Sequence, residues 1–187
     1  MRIGVLREAS PGEQRVALVP ENVTRLVKAG HEVRIEAGAG AAAGFPNAAY
    51  AAGGAAVVDA RAAAEGAAVV AGVQRPSEAQ VELLSPGTHL VALLAPHAAR
   101  PLLERLAARG VNALAMERVP RTTRAQSMDA LSSQATLAGY KAVLLGAAAL
   151  PRILPMMTTA AGTLAPARVF VVGAGVAGLT AIATARR

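Results

Sequence analysis

The chain has no cysteine and no tryptophan, and only two tyrosines, two phenylalanines and three histidines among its 187 residues. The missing cysteines exclude disulfides, thiol nucleophiles and cysteine metal sites. His31, His89 and His97 show no ligand spacing. No apolar run reaches the ~18 residues that a membrane span needs. Basic residues outnumber acidic ones, 19 to 12, for a net charge of +7. No basic stripe is interleaved with aromatics, which sets nucleic-acid binding aside. Arg2, Arg7, Arg15, Arg25, Arg34, Arg61 and Arg75 are scattered. The basic clusters are Arg118-Val119-Pro120-Arg121-Thr122-Thr123-Arg124 and Arg186-Arg187. The opening Met1-Arg2-Ile3-Gly4-Val5 reads as a first strand and not as a leader, so a cytoplasmic location is expected.

What the chain has in quantity is small apolar residues: 53% is hydrophobic and only 2% aromatic. A core of Ala, Val and Leu buries less area per residue than one with rings, so extensive packing or a partner subunit has to compensate. The length suits one to two domains.

The most informative stretch is Gly173-Ala174-Gly175-Val176-Ala177-Gly178. The apolar run Arg168-Val169-Phe170-Val171-Val172 precedes it and reads as a buried strand. The residues from Leu179 onward read as helix. Strand, G-x-G-x-x-G turn and helix make the first βα unit of a dinucleotide-binding fold. Gly173 permits the turn, Gly175 lets backbone approach a pyrophosphate, and Gly178 lets helix pack on strand. With Val176 and Ala177, these residues bring the unpaired N–H groups of the helix start to the phosphates. The acidic ribose-binding residue belongs about 20 residues further on. Nine residues follow Gly178, so an incomplete nucleotide domain is expected, with the choice of NAD or NADP set elsewhere.

Before this motif, strands and helices alternate. Strands are expected at 3–6, 32–36, 57–58, 67–73, 89–94 and 111–116. Helices are expected from Pro20 to Gly30, at 47–53, at 78–84 after a Ser77 cap, and at 100–109. This alternation implies a parallel, helix-covered sheet. The charged loop 7–15 follows the first strand, at the end of the sheet where open α/β folds bind ligands. A long helix begins near Ser132 or Ser133 and runs through Tyr140 to Leu150, and 151–166 is a connector. The fold class is α/β: a Rossmann-like parallel-sheet domain over 1–130, a linking helix and connector over 131–164, and the first βα unit of a second, NAD-binding Rossmann domain over 165–187.

Several residues have plain structural readings. Arg121 and Arg124 read equally as solvated charges, Asp129 as a helix cap, Gln126 as a loop residue and Arg15 as an ion-pair partner. Met128, Met156 and Met157 read as core filler, Tyr140 as packing and His97 as a surface residue.

Two motifs carry a family likeness. Arg7-Glu8 with Glu13-Gln14-Arg15-Val16-Ala17-Leu18-Val19-Pro20 resembles the N-terminal signature of the superfamily of alanine dehydrogenases and proton-translocating nicotinamide nucleotide transhydrogenases. The stretch from Arg121 to Ala135, with Gln126-Ser127-Met128-Asp129 at its centre, resembles the conserved loop of the transhydrogenase NAD(H)-binding component. Met156-Met157-Thr158-Thr159 and the Gly173 motif extend the likeness to the whole chain, against a family domain about twice as long. Alanine dehydrogenases carry a lysine after the third main strand and a histidine after the fourth. These positions correspond here to Arg75 and Ala95, or to His97 if the register moves by two.

The resemblance implies that Arg121, Gln126 and Asp129 contact the nicotinamide end of NAD(H) and act in positioning it, with Ser132 also reaching the nucleotide and Tyr140 matching a helix tyrosine. It implies hydride transfer from NADH to NADP⁺ of the Re/Si-specific type, with NADP(H) on a partner component. It also implies a homodimer, and a place peripheral to the inner membrane through membrane-embedded partners that move protons. Transfer between two nicotinamide rings needs position and dryness, not an acid, a base or a metal. The alternatives are an alanine dehydrogenase or related lysine-forming dehydrogenase, and a truncated remnant that only dimerises. As part of a transhydrogenase complex, the stretch as it stands is expected to be inactive alone.

Overall fold

The computed structural model describes residues 1–187 and divides into two compact units, Met1–Arg118 and Val119–Arg187. Residues 119–130, grouped above with the first domain, therefore lie in the second unit.

The first unit is a six-stranded sheet with five helices. Its strands are β1 (Arg2–Val5), β2 (Glu32–Glu36), β3 (Ala56–Val58), β4 (Val69–Ala71), β5 (His89–Ala92) and β6 (Asn112–Ala115). All pairs are parallel, in the order β3-β2-β1-β4-β5-β6. Ile3 faces Val33 on one side and Val69 on the other, and His89 links Val69 to Asn112. The helices are α1 (Pro20–Lys28), α2 (Asn47–Ala52), α3 (Ala60–Ala64), α4 (Glu78–Leu83) and α5 (Arg100–Ala108).

Local chemistry starts these helices. Pro20 preorganises the first turn of α1. Asp59 caps α3 by accepting from the Ala62 N–H at 2.8 Å. Ser77 and Gln80 form a reciprocal capping box at the start of α4. The core has two clusters. One gathers Ile3, Val5, Val23, Val33, Ile35 and Tyr50. The other gathers Val70, Val81, Leu84, Leu90, Leu94 and Leu106. β1, β4 and β5 read as apolar runs because helices cover the sheet, while β2 alternates, with Val33 and Ile35 buried.

The second unit starts with a 3-10 turn (Thr123–Met128) and the twenty-residue helix α6 (Ala130–Ala149). The hairpin β7 (Met157–Thr159) and β8 (Gly162–Leu164) follows, and α7 (Val176–Arg186) ends the unit. The hairpin replaces the expected connector. The expected strand at 168–172 does not form: it pairs with no other strand, and Phe170 and Val172 are 91% and 88% exposed. A strand is held by its neighbour's hydrogen bonds, and no neighbour is within this unit. Met128, Met156 and Met157 are exposed rather than core filler, and so is Tyr140.

Candidate functional site

The strand order of the first unit reverses between β1 and β4, which is where a ligand crevice opens in such sheets. Here the chain's own side chains fill it. The loop after β1 contains no glycine-rich phosphate turn; it carries Glu8, whose carboxylate accepts from the Val73 N–H at 2.6 Å and the Gln74 N–H at 2.9 Å, just beyond β4. Gln74 Nε2 donates to Glu13 at 2.9 Å, and Gln80 Nε2 donates to the Arg7 carbonyl at 2.7 Å. The cavity left beside these residues is about 20 Å³, room for about one water. At this end of the sheet, beside loop 7–15, the Val73 and Gln74 amides are taken by Glu8.

Arg15 takes its structural reading. Its guanidinium pairs with Glu13 at 2.7 Å. The hydrogen bond from Arg15 is the main reason that the Glu13 carboxyl is lowered from 4.5 to about 2. At the ends of β4 and β5, Arg75 is exposed and Ala95 holds a left-handed backbone with φ 48°. His97 is exposed, with its Nε2 3.4 Å from the Arg118 guanidinium.

The second unit contains the loop and the glycine turn. Asp129 caps α6: it accepts from the Ser132 N–H at 2.9 Å and from the Ser132 hydroxyl at 2.6 Å. These two bonds, with a smaller contribution from the Arg121 charge, hold its carboxyl below the usual range. The Ser133 hydroxyl donates to the Asp129 carbonyl at 3.0 Å. Asp129 and Ser132 are therefore brought together, and the Arg121 charge acts on Asp129 without a direct ion pair between them. Arg121, Arg124 and Gln126 are exposed, while Ala125 between them is buried and seats the turn. The Gln126 carbonyl accepts from the Asp129 N–H at 3.2 Å, which ties the turn to the cap.

In the glycine turn each glycine has a distinct geometry. Gly173 has φ 101°, a conformation that side chains rarely adopt. Gly175 precedes α7 as its N-cap, and a Cβ built there meets no atom within 4 Å. A Cβ on Gly178 would lie 2.0 Å from the Gly173 carbonyl oxygen. The turn is therefore folded back on its own helix, with open space at the second glycine. Val176 and Ala177 start α7, whose first-turn N–H groups have no intrahelical acceptor. These features fit the phosphates of a dinucleotide: free donors, the positive end of a helix, and no side chain in the way. No group of three or more acidic or histidine side chains is arranged to hold a metal.

Sequence reasoning missed Glu117, Gly139 and what Glu8 holds, although Glu8 stood in the N-terminal signature. A Cβ on Gly139 would lie 2.1 Å from the Ala177 carbonyl oxygen, so α6 and α7 cross at this glycine. Its only signal was a glycine inside a helical pattern, which costs stability unless a close approach repays it. Glu8 and Glu117 act over long sequence separations, and nothing local marked the amides they hold.

Comparison with known proteins agrees with this geometry. Family models match over residues 4–138 (alanine dehydrogenase/PNT, N-terminal domain) and residues 142–187 (alanine dehydrogenase/PNT, C-terminal domain). A relative from Rhodospirillum rubrum, named as the first portion of NAD(P) transhydrogenase subunit alpha, is 50% identical over 193 residues, covering 100% of this chain and 50% of its own. A solved transhydrogenase from Sinorhizobium meliloti superposes with TM-score 0.96 at 45% identity, over 100% of this chain and 56% of its own. A solved L-alanine dehydrogenase gives TM-score 0.88 at 35% identity, over 100% of this chain and 52% of its own. The chain spans about half the length of these relatives. From its parallel α/β sheet to its glycine turn, it belongs to the alanine dehydrogenase/PNT family.

Proposed function

We propose that this chain serves in the NAD(H)-binding component of a proton-translocating NAD(P) transhydrogenase, of the Re/Si-specific type. NADP(H) would sit on a partner component, with proton flow through membrane-embedded subunits. What carries the reading is the chemistry at two positions. Where an alanine dehydrogenase would use a lysine and a histidine, this chain has Arg75, which is exposed, and on the simpler register Ala95, which has no titratable group; moved by two, the register meets His97, which is exposed with its Nε2 3.4 Å from the Arg118 guanidinium. The loop that resembles the transhydrogenase loop is intact, from Arg121 through Gln126 to Asp129. The 50% identity to a protein named as a transhydrogenase alpha subunit supports the same branch.

Bound NAD(H) supplies the hydride. The first-turn N–H groups of α7, with Gly173, Gly175, Val176, Ala177 and Gly178, would hold its pyrophosphate. Arg121 presents a fixed fork of donors to phosphate or ribose oxygens. Gln126 can donate and accept at once, and so hold a ribose hydroxyl or the second nucleotide. Asp129, ionised and fixed by Ser132, accepts from a ribose hydroxyl or answers the Arg121 charge. None of these groups transfers a proton; their contribution is position and exclusion of water.

Pairing with a second copy belongs to the same proposal. Leu137, Tyr140, Leu144 and Leu145 of α6 are exposed at helical spacing, a stripe that a partner helix would cover. No helix is long and apolar enough to cross a membrane; the same proposal puts the chain on the cytoplasmic side, beside the membrane through its partner subunits. The test is NADH-dependent reduction of NADP⁺ with the partner components present. Arg121→Ala and Gln126→Ala are each expected to lower it by about 10-fold or more, the value of a hydrogen bond to a charged group. Unchanged rates in both variants would remove the site assignment.

A further inference from the structure

Glu117 is the middle residue of the 3-10 turn Met116–Arg118 that follows β6, two residues before the second unit begins. Its carboxylate accepts from the Leu94 N–H at 3.2 Å and from the Ala95 N–H at a short distance. Leu94 is fully buried, so this bond is set against the core. Ala95 is the one non-glycine residue with positive φ, and it precedes Pro96, where the chain favours extended backbone. The conformation is held by its surroundings: Glu117 takes the Ala95 N–H, and the Ala95 carbonyl accepts from the Ala98 N–H at 2.8 Å. Arg118 adds the contact with His97. Two successive side chains thus fasten the end of β6 to the turn after β5. The next residues are the exposed loop from Val119 through Arg121 and Gln126 to Asp129.

We propose that Glu117 is the positioning residue of this loop. Its carboxylate spans two amides that the strand ladder leaves free, and this fixes the point from which Arg121 and Gln126 are presented. Glu8 does the same at the end of β4, but its loop carries none of the nucleotide-facing residues, so Glu117 alone couples this device to the site. The loosened loop is the structural claim. Its consequence for nucleotide binding rests on the transhydrogenase reading above.

Amide hydrogen exchange on the full chain, without nucleotide, tests the structural claim independently of that reading. Glu117→Ala is expected to speed exchange about 10-fold or more at Leu94, Ala95 and 119–129, with Val73 and Gln74 unchanged as the internal comparison. Glu117→Gln keeps one acceptor oxygen and is expected to restore protection in part. Unchanged exchange at 119–129, or an increase spread evenly over the first unit, overturns the proposal. The consequence is read by titrating the full chain with NADH and with ADP-ribose, which lacks the nicotinamide end. Glu117→Ala is expected to weaken NADH about 10-fold and ADP-ribose by less than about threefold, the gap being one charge-assisted contact. Equal losses for both ligands overturn a positioning role at the nicotinamide end. Arg121→Ala in the same titration separates the two claims: if it leaves NADH affinity unchanged while Glu117→Ala still loosens the loop, the nucleotide reading fails and the anchor stands.

Discussion

Glu13 shows how much of this protein is decided by single carboxylates. Arg15 and Gln74 hold its ionised form, and its pKa falls to about 2 from 4.5. A depressed carboxylate contributes stability that is fully present above the unfolded value and is lost as pH falls toward the folded one. Acid unfolding of the first unit is therefore expected to steepen between pH 4.5 and about 2. Glu13→Gln should flatten that limb and remove on the order of 1 kcal/mol at neutral pH, once screening at the partly exposed Arg15 is counted. A urea titration at several pH values measures it. Asp129 separates structure from function in one pair of variants. Asp129→Asn keeps an acceptor for the Ser132 N–H and should hold the start of α6, while Asp129→Ala should fray it, visible as lost amide protection at Ser132 and Ser133. If Asp129 also faces the nucleotide, Asn will keep the helix and still lose NADH affinity. Arg121, Gln126 and Asp129 were legible only through resemblance, because their spacing alone fits a solvated loop. Glu8 was marked only as part of the N-terminal signature and Glu117 not at all, and the partners of both were hidden because they lie 65 and 66 or 22 and 23 residues away.

The elements followed the sequence wherever periodicity or a cap was present. Alternation marked β2, apolar runs marked β1, β4 and β5, and Pro20 and Ser77 marked two helix starts. The short α3 was passed over, although Asp59 was its cap. The hairpin of β7 and β8 was read as connector, because its Thr158-Thr159 and Thr163 strands are exposed and lack alternation. The stretch 168–172 shows the opposite failure. Its apolar run has strand character, but a strand also needs a neighbour, and local sequence does not supply one. Two glycines give predictions at this scale. Gly178→Ala places a methyl on the Gly173 carbonyl, and Gly139→Ala places one on the Ala177 carbonyl. Each should destabilise the second unit by about 2 kcal/mol or more, read as a lower unfolding midpoint. Gly146→Ala, on α6 with nothing near its Cβ, should instead stabilise slightly.

For the molecule as a whole, the alternation of strands and helices predicted the parallel sheet of the first unit, and composition predicted its core of small apolar residues. A chain poor in rings and rich in Ala, Val and Leu folded as a covered parallel sheet whose largest buried side chain is Tyr50. The strand order placed a ligand crevice in the first unit, and the side chains closed it. The second unit keeps the open glycine turn, and with it the donors that suit a dinucleotide. The exposed stripe on α6 predicts self-association: sedimentation should give twice the chain mass, and Leu144→Asp should return it to one chain. Mass unchanged by that substitution would place the pairing surface elsewhere.

The central claim is that this chain works in hydride transfer between two nicotinamide nucleotides and not in amino-acid dehydrogenation. The measurement that tests it most directly compares two reactions on the same preparation: NADH-dependent reduction of NADP⁺ with the partner components present, and NADH oxidation driven by pyruvate and ammonia. The account predicts activity in the first, lost in Arg121→Ala and Gln126→Ala, and none in the second. NADH oxidation that requires pyruvate and ammonia would contradict it.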